Sequence, residues 1–337
     1  MNRRHTGIVV VVVIVAALAL GLWRVWAPGP RLAQPRIIAI APGTGRTQIA
    51  RLLQQQGVIA SAFGFDLWAF LHFGSTLKAG PYRLPGGESV PAVFHTLSRG
   101  VFYTISLTVP EGYTRFDIAR ELQQKGIASA DAFLAASASP ALVHDLDPGA
   151  VSLEGYLFPA TYRVPFHASV QQIIKLMLQR FHQEVQRDHP HNVHRWVTLA
   201  SLIQKETAVP AERALIAGVF DNRLQRGLPL QCDPTVIYAA LLDHAWTGSL
   251  HARDLKRKSP YNTYLHTGLP PGPISNPGRA SLEAAQHPDE TDYLYFVSNG
   301  AGAHRFAETL AQQQKNVRRY LKTLRQQHDG DHHPKRR

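Results

Sequence analysis

Glu206 closes the segment RWVTLASLIQKETAVP, Arg195 to Pro210, in which Trp196, Leu199, Ala200 and Ile203 recur at spacings of three and four. That period places one apolar stripe on a helix, and Glu206, three residues beyond Ile203, continues it. Pro210 must end the helix soon after. A carboxylate beside the buried face is partly desolvated, which favours its protonated form and suits it to act as a general acid. Cleavage of a glycosidic bond needs such an acid, because the leaving alkoxide takes up a proton as the bond breaks. The same spacing also fits an ordinary helix end whose Glu reaches water past an apolar stem. A two-carboxylate hydrolase would need a partner for Glu206, and the candidates are Glu154, Asp221 and Asp233.

Three polar and aromatic stretches follow this helix: LPLQCDPTVIYA (Leu228 to Ala239), SPYNTYLHTGLPPGPISNPG (Ser259 to Gly278) and YLYFVSNGAGAHRF (Tyr293 to Phe306). The middle one is dense in Pro, Gly, Tyr and Asn, a composition for an ordered loop. Rings and amides with little entropy to lose suit a sugar groove, and they suit a tightly packed connector equally well. Glu154, Gln231, Asp233, Thr235, Tyr261 and Asn262 are the residues assigned here to shaping the groove or binding its occupant.

Other chemistries lack their residues. There is no G-x-S-x-G elbow, H-E-x-x-H, phosphate loop or G-x-G-x-x-G. Cys232 stands alone, which excludes an internal disulfide and any multi-cysteine metal site. His189, His191 and His194 are read as a solvated loop before a helix, without patterned carboxylates. No metal and no cofactor is expected.

The elements that must position these residues begin with MNRRHTG and an uninterrupted apolar run from Ile8 to Trp23. The run reads as a retained membrane anchor rather than a cleaved signal peptide, because it continues past Ala17-Leu18-Ala19 and ends in interface-type Trp23, Arg24 and Trp26. Arg3 and Arg4 before it place the N-terminus in the cytoplasm and the body outside, in a bacterium on the periplasmic face of the inner membrane. Ala27 to Pro35 is proline-rich and reads as a linker. The folded part then repeats itself: IIAIAPGTGRTQIARLLQQQGVI from Ile37 resembles ISLTVPEGYTRFDIARELQQKGI from Ile105, each a strand, a turn and a helix that stops at glycine. A strand over Gly80–Leu84 and a helix from Ser89 to about Arg99 complete a small α+β module over 36–100. A longer helix, Ala168 to about Gln186, reads as architectural. The 337 residues suffice for one large or two medium domains. Thirty-six Lys and Arg against 24 Asp and Glu leave a net charge of +12, which draws the protein to polyanions or anionic lipid. An exported body without a nucleic-acid motif argues against nucleic acid as the partner.

Taken in order, AGPYRL at Ala79, LTVPEGYT at Leu107, LEGYLFPATY at Leu153, ASLIQKET at Ala200, LQCDPTVIY at Leu230, SPYNTY with GLPPGPISNPG, and YLYFV followed by GAHRF resemble the endolytic murein transglycosylase family, the YceG-like proteins. The resemblance spans nearly all of the chain beyond the linker. It implies an α+β fold in which residues 1–26 are stub and anchor, 27–35 a linker, 36–100 a module similar to LysM glycan-binding folds, 101–325 the catalytic domain, and 326–337 a basic, disordered tail. It implies Glu206 as the catalytic residue, no cofactor, and cleavage of the beta-1,4 bond between N-acetylmuramic acid and N-acetylglucosamine in nascent peptidoglycan strands, leaving 1,6-anhydro ends. Partners are then the glycan strand, the lipid bilayer through residues 8–23, and, as candidates, cell-wall elongation or division synthases. A non-catalytic wall-binding scaffold and a two-carboxylate muramidase are the alternatives. The chain departs from the family's more usual residues at Gln204, where Glu is commoner, and near Gln312 and Gln313, where His is commoner. The first is expected to cost little; the second bears on one local hydrogen bond.

Overall fold

A computed structural model describes residues 3–331, a mixed α+β chain that divides into two units. The first comprises Met1–Ile105 with Arg163–His167, and the second Ser106–Tyr162 with Ala168–Arg337.

In the first unit the apolar run lies within helix α1 (Arg3–Trp26). Its described large side chains from Ile8 to Trp23 are 52–64% exposed, whereas Val25 near its end is buried. Among the described residues no helix is long and apolar enough to cross a membrane. Strand β1 (Arg31–Ile40) is followed by α2 (Arg46–Gln55), α3 (Ala62–Leu71), β2 (Gly80–Gly86) and α4 (Val90–Arg99). β1 thus begins inside the stretch expected as linker. Its pairing with β2 is irregular between Arg31 and Arg36, which accommodates Pro35 with no N–H to donate. Antiparallel pairing aligns Ile38 with Tyr82, and alternation sends Ile38, Ile40, Tyr82 and Leu84 into a core closed by Leu53, Phe65 and Leu97. Gly100 ends α4 in the left-handed conformation, φ 72°.

The chain crosses from one unit to the other within β3 (Thr104–Thr108) and again within β4 (Thr161–Pro165), which pair with each other. The two sequence repeats therefore belong mainly to different units. Their turn glycines share one backbone state: Gly43 and Gly112 have φ of 80° and 77°, and Gly57 and Gly126 have 71° and 64°. A side chain at these positions would be strained, so the matched glycines mark matched turns.

The second unit continues with α5 (Arg115–Gln124), α6 (Ala130–Ala138), α7 (Val170–Asp188), α8 (Val193–Glu206), α9 (Arg213–Gln225), α10 (Asp233–Leu242) and α11 (Arg279–Gln286). The hairpin β5 (Tyr295–Ser298) and β6 (His304–Ala307) then leads to α12 (Leu310–Asp331). Helix starts follow local chemistry: Thr114 and Asp117 form a capping box on α5, Ser169 and Gln172 another on α7, and Asn192 Oδ1 accepts the Arg195 N–H of α8. α12 carries the helix into the segment expected as a disordered tail; residues 332–337, with His332 and His333, lie outside the described residues.

Two expectations are corrected. Periodicity suggested one buried face for α8, yet every residue from Trp196 to Ile203 is buried. The helix runs through the core with its polar Thr198 and Ser201 inside, so spacing alone understated its burial. The histidines near residue 190 are not simply solvated: His189 ends α7 at φ 46°, and His194 Nδ1 lies 2.9 Å from the Asp147 carboxylate, which also accepts the Tyr156 hydroxyl.

Candidate functional site

Glu206 is the last residue of α8, and side-chain bonds fix where that helix points. Trp196 Nε1 donates to Leu282 O (2.8 Å), and Ser201 Oγ accepts the Ile274 N–H (3.1 Å). Gln204 Oε1 accepts both the Gly278 N–H (3.0 Å) and the Ser281 hydroxyl (2.8 Å). Gln204 thus works as an acceptor at the start of α11, a task its amide oxygen performs without a carboxylate. Gly155 permits a close approach of the chain: a side chain there would run into Pro273 and Val197, at 2.5 and 2.8 Å from its Cβ.

Beyond the helix end lies a cleft of about 410 Å³ lined by Glu206, Arg223, Gln231, Asp233, Tyr264, Tyr295, His304 and Gln313, with Leu230, Leu294 and the strand β5 completing its walls. Glu206 keeps part of its surface open to this space while protein surrounds the rest. Burial pushes its carboxyl up to about 6; a hydrogen bond from the Cys232 thiol pulls it down, the Asp233 charge pushes it up, and His304 pulls it down.

The opposite side is held by a second acid. Glu212 accepts the His304 backbone N–H (2.8 Å) and bonds His304 Nδ1 (2.7 Å), with the Thr207 hydroxyl at 3.2 Å. Burial works to raise the Glu212 carboxyl, but the His304 hydrogen bonds and charge, with Thr207, hold it below the usual carboxylate range. The Nδ1 contact orients the imidazole at the cleft wall. Arg223 forms another rigid wall: its guanidinium donates to Pro229 O, Leu294 O and Gln231 Oε1, and lies over the Tyr295 ring at 5.4 Å. These acceptors, two backbone carbonyls and the Gln231 amide oxygen, are all neutral, so no carboxylate offsets the guanidinium beside the cleft.

Of the six residues assigned to the groove from sequence, Gln231 and Asp233 line the cleft with Glu206. Gln231 takes a left-handed backbone, φ 55°, and its amide oxygen is held by Arg223. Asp233, at the start of α10, accepts the Tyr264 hydroxyl at 2.5 Å. The other four are braces. Thr235 and Thr263 bond each other at 3.0 Å, and Thr235 also donates to Cys232 O. Asn262 is fully buried and donates to Leu255 O and Arg257 O. Tyr261 packs on Tyr238 with ring centroids 5.1 Å apart. Glu154, 1% exposed, accepts the Arg115 N–H on both oxygens and an amide proton of Asn276. Burial raises Glu154 to about 7 against the lowering by the Arg115 hydrogen bond and charge and by Tyr238. Asp221 pairs with Arg195 at 2.6 Å, apart from the cleft lining.

Sequence reading missed His304, Glu212, Arg223, Tyr264 and Tyr295 as site residues. All but Glu212 and Arg223 stood inside the polar-aromatic stretches, so composition flagged the segments without ranking their members. Gln313, noted as a departure, donates to Phe296 O at 2.9 Å and keeps the local hydrogen bond from the position in question. Its buried Oε1 has no protein partner among the described residues.

Fold and site define a mixed α+β protein whose cleft presents one carboxyl held near neutrality between an imidazole and a second carboxylate. The YceG-like family is matched over residues 38–319, and the chain belongs to that family. It is 36% identical over 308 residues to the endolytic murein transglycosylase of Bacillus subtilis strain 168, covering 84% of each chain. It is 32% identical over 296 residues to that of Streptococcus pneumoniae D39, covering 78% of this chain and 54% of the relative, so it spans about half the length of that protein. The crystal structure of a yceG-like protein from Listeria monocytogenes superposes with a TM-score of 0.55 at 33% identity, over 84% of this chain and 99% of that one.

Proposed function

We propose that the protein is an endolytic peptidoglycan lytic transglycosylase in which Glu206 is the catalytic acid and then the base. The observation that carries this reading is the Glu206 carboxyl, raised to about 6 and open to a polar cleft. The transglycosylases named above support the substrate class. Protonated Glu206 donates to the oxygen bridging N-acetylmuramic acid and N-acetylglucosamine as the C1–O bond breaks, leaving oxocarbenium character at the muramyl C1. The carboxylate so formed takes the proton of the muramyl C6 hydroxyl while that oxygen closes on C1. The proton count balances, Glu206 is regenerated, and water is not consumed. Arg223 adds positive charge to the cleft, a complement to the carboxylates of peptidoglycan stem peptides.

Asp233 shares the cleft, and this keeps a two-carboxylate muramidase in view. Mass spectrometry of products from uncrosslinked glycan strands separates the two: anhydro ends are expected, and hydrated reducing ends would overturn the single-carboxylate scheme. Intact strands after exhaustive incubation would instead favour a binding scaffold.

The pH profile follows from the acid's state. Only protonated Glu206 can begin the reaction, so kcat/KM should fall about tenfold per pH unit above about 6. Replacing His304 by Asn removes a charge that lowers the Glu206 carboxyl, so the alkaline limb should move to higher pH. A limb that stays in place in H304N would show that the imidazole does not act through Glu206.

Residues 8–23 are read as a single-pass anchor in a bacterial inner membrane, with the catalytic unit on the periplasmic side and the first unit as a LysM-like glycan contact. Support for the anchor comes from the uninterrupted apolar sequence and from its helical, exposed state in α1.

A further inference from the structure

Helix α3 carries a single charged side chain, the half-buried Asp66, at the edge of an otherwise apolar exposed stripe. Phe65 and Ala69 pack into the core of the first unit, while Phe63, Phe70 and Leu71, at positions i, i+7 and i+8 of the opposite side, are 65%, 70% and 63% exposed. Leu67, at i+4, lies half-buried on the same stripe, and Phe73 just beyond the helix is 83% exposed. A soluble surface rarely keeps so many large apolar groups together.

The same helix is seated on the end of α1. A Cβ at Gly64 would stand 2.6 Å from Arg24 O, so the two backbones nearly touch there. Trp26 and Trp68 meet edge to face at 5.8 Å, and Val25 is buried beneath them. Leu67 reaches to within 4.0 Å of a Cβ built on Gly21. The exposed stripe is therefore continuous with the apolar surface of α1. Where α1 leaves a bilayer, α3 would lie at the level of the headgroups, the depth that Phe, Leu and Trp side chains favour.

We infer that the exposed face of α3, with Phe63, Phe70, Leu71 and Phe73, is a second membrane contact that lies in the headgroup–acyl boundary beside the anchor. This rests on the reading of α1 as a membrane helix. Two contacts rather than one fix the tilt and rotation of the first unit on the membrane, so its orientation does not depend on α1 alone. The net charge of +12 favours the same placement on an anionic surface.

The test uses the full chain in phosphatidylglycerol–phosphatidylethanolamine proteoliposomes, with nitrobenzoxadiazole attached singly to F70C, F73C, Q55C or V15C. The native Cys232 is buried and provides the unlabelled background. Gln55, exposed on α2, is the aqueous control. Probes at 70 and 73 should emit blue-shifted light and be quenched by lipids spin-labelled near the headgroup, the probe at 15 by lipids labelled deep in the chain, and the probe at 55 by neither. Quenching at 15 with aqueous probes at 70 and 73 would overturn the α3 contact and leave the anchor standing. An unquenched probe at 15 would overturn the anchor and this inference with it. Probes at 70 and 73 that are shielded yet unquenched, in a chain that crosslinks to a second copy through them, would assign the face to self-association and refute the lipid contact.

Discussion

Replacing Glu206 by Gln should lower strand cleavage roughly 10³-fold or more while leaving glycan binding in place. One group supplies the proton and later removes another, so the amide loses both steps with nearly no change of shape. The same substitution should make the protein more stable at neutral pH. Burial raises the folded-state carboxyl to about 6 from an ordinary 4.5. The folded state thus holds the proton more tightly than the unfolded chain, and the stability this contributes is present below about 4.5 and lost as pH rises through about 6. Above that range wild type should be less stable than E206Q by up to about 2 kcal/mol, and the difference should vanish near pH 4. Chemical denaturation at pH 4 and pH 8, paired with product analysis, checks both halves. Cleavage retained in E206Q would remove Glu206 from the chemistry. Loss of cleavage in D233N as deep as in E206Q, with hydrated products from wild type, would transfer the mechanism to a carboxylate pair.

The largest expected loss of stability comes from Asn276, which is wholly buried and does not line the cleft. Its Oδ1 accepts the N–H groups of Gly155 (2.9 Å) and Leu157 (3.0 Å), and its Nδ2 donates to Tyr113 O and Glu154 Oε1 (both 2.9 Å). Its backbone continues the tie, donating to Tyr113 O and accepting from Gly112. One amide therefore joins the turn before α5, the Glu154 segment and the loop that precedes α11. N276A strands the Gly155 and Leu157 N–H donors in a buried position and removes one of the two donors to Glu154 Oε1, which keeps the Arg115 N–H; at ~1–3 kcal/mol per stranded donor the total is on the order of 4 kcal/mol. That is a large part of a typical domain's margin. N276D keeps the size but faces Glu154 with an acceptor, so its deficit should widen as pH rises and both carboxyls ionise. Thermal unfolding across pH measures this directly. An unchanged midpoint in N276A would mean that the network is dispensable.

These two residues show where legibility in the sequence begins and ends. Glu206 stood out as a candidate because helix period, a following proline and carboxylate chemistry converge on one position, and the ordered family motifs gave it a setting. Asn276 stood within a quoted motif and was passed over, since nothing local distinguishes an amide that binds ligand from one that braces three segments. Glu154 was misweighted for the same reason: a carboxylate beside a glycine is equally compatible with a groove or a core. His304 and Glu212 are 92 residues apart, and no spacing rule connects them.

The amino-acid order by itself determined the local elements: the turn glycines, the caps of α5, α7 and α8, the alternation in β1 and β2, and the apolar run of α1. It did so because those features depend on interactions within a few residues. Tertiary structure alone decided which polar groups share the cleft, which are sealed away, and which apolar face of α3 stays uncovered. Desolvation and hydrogen-bond partnership are properties of what surrounds a group, and the chain supplies those surroundings from positions scattered along its length.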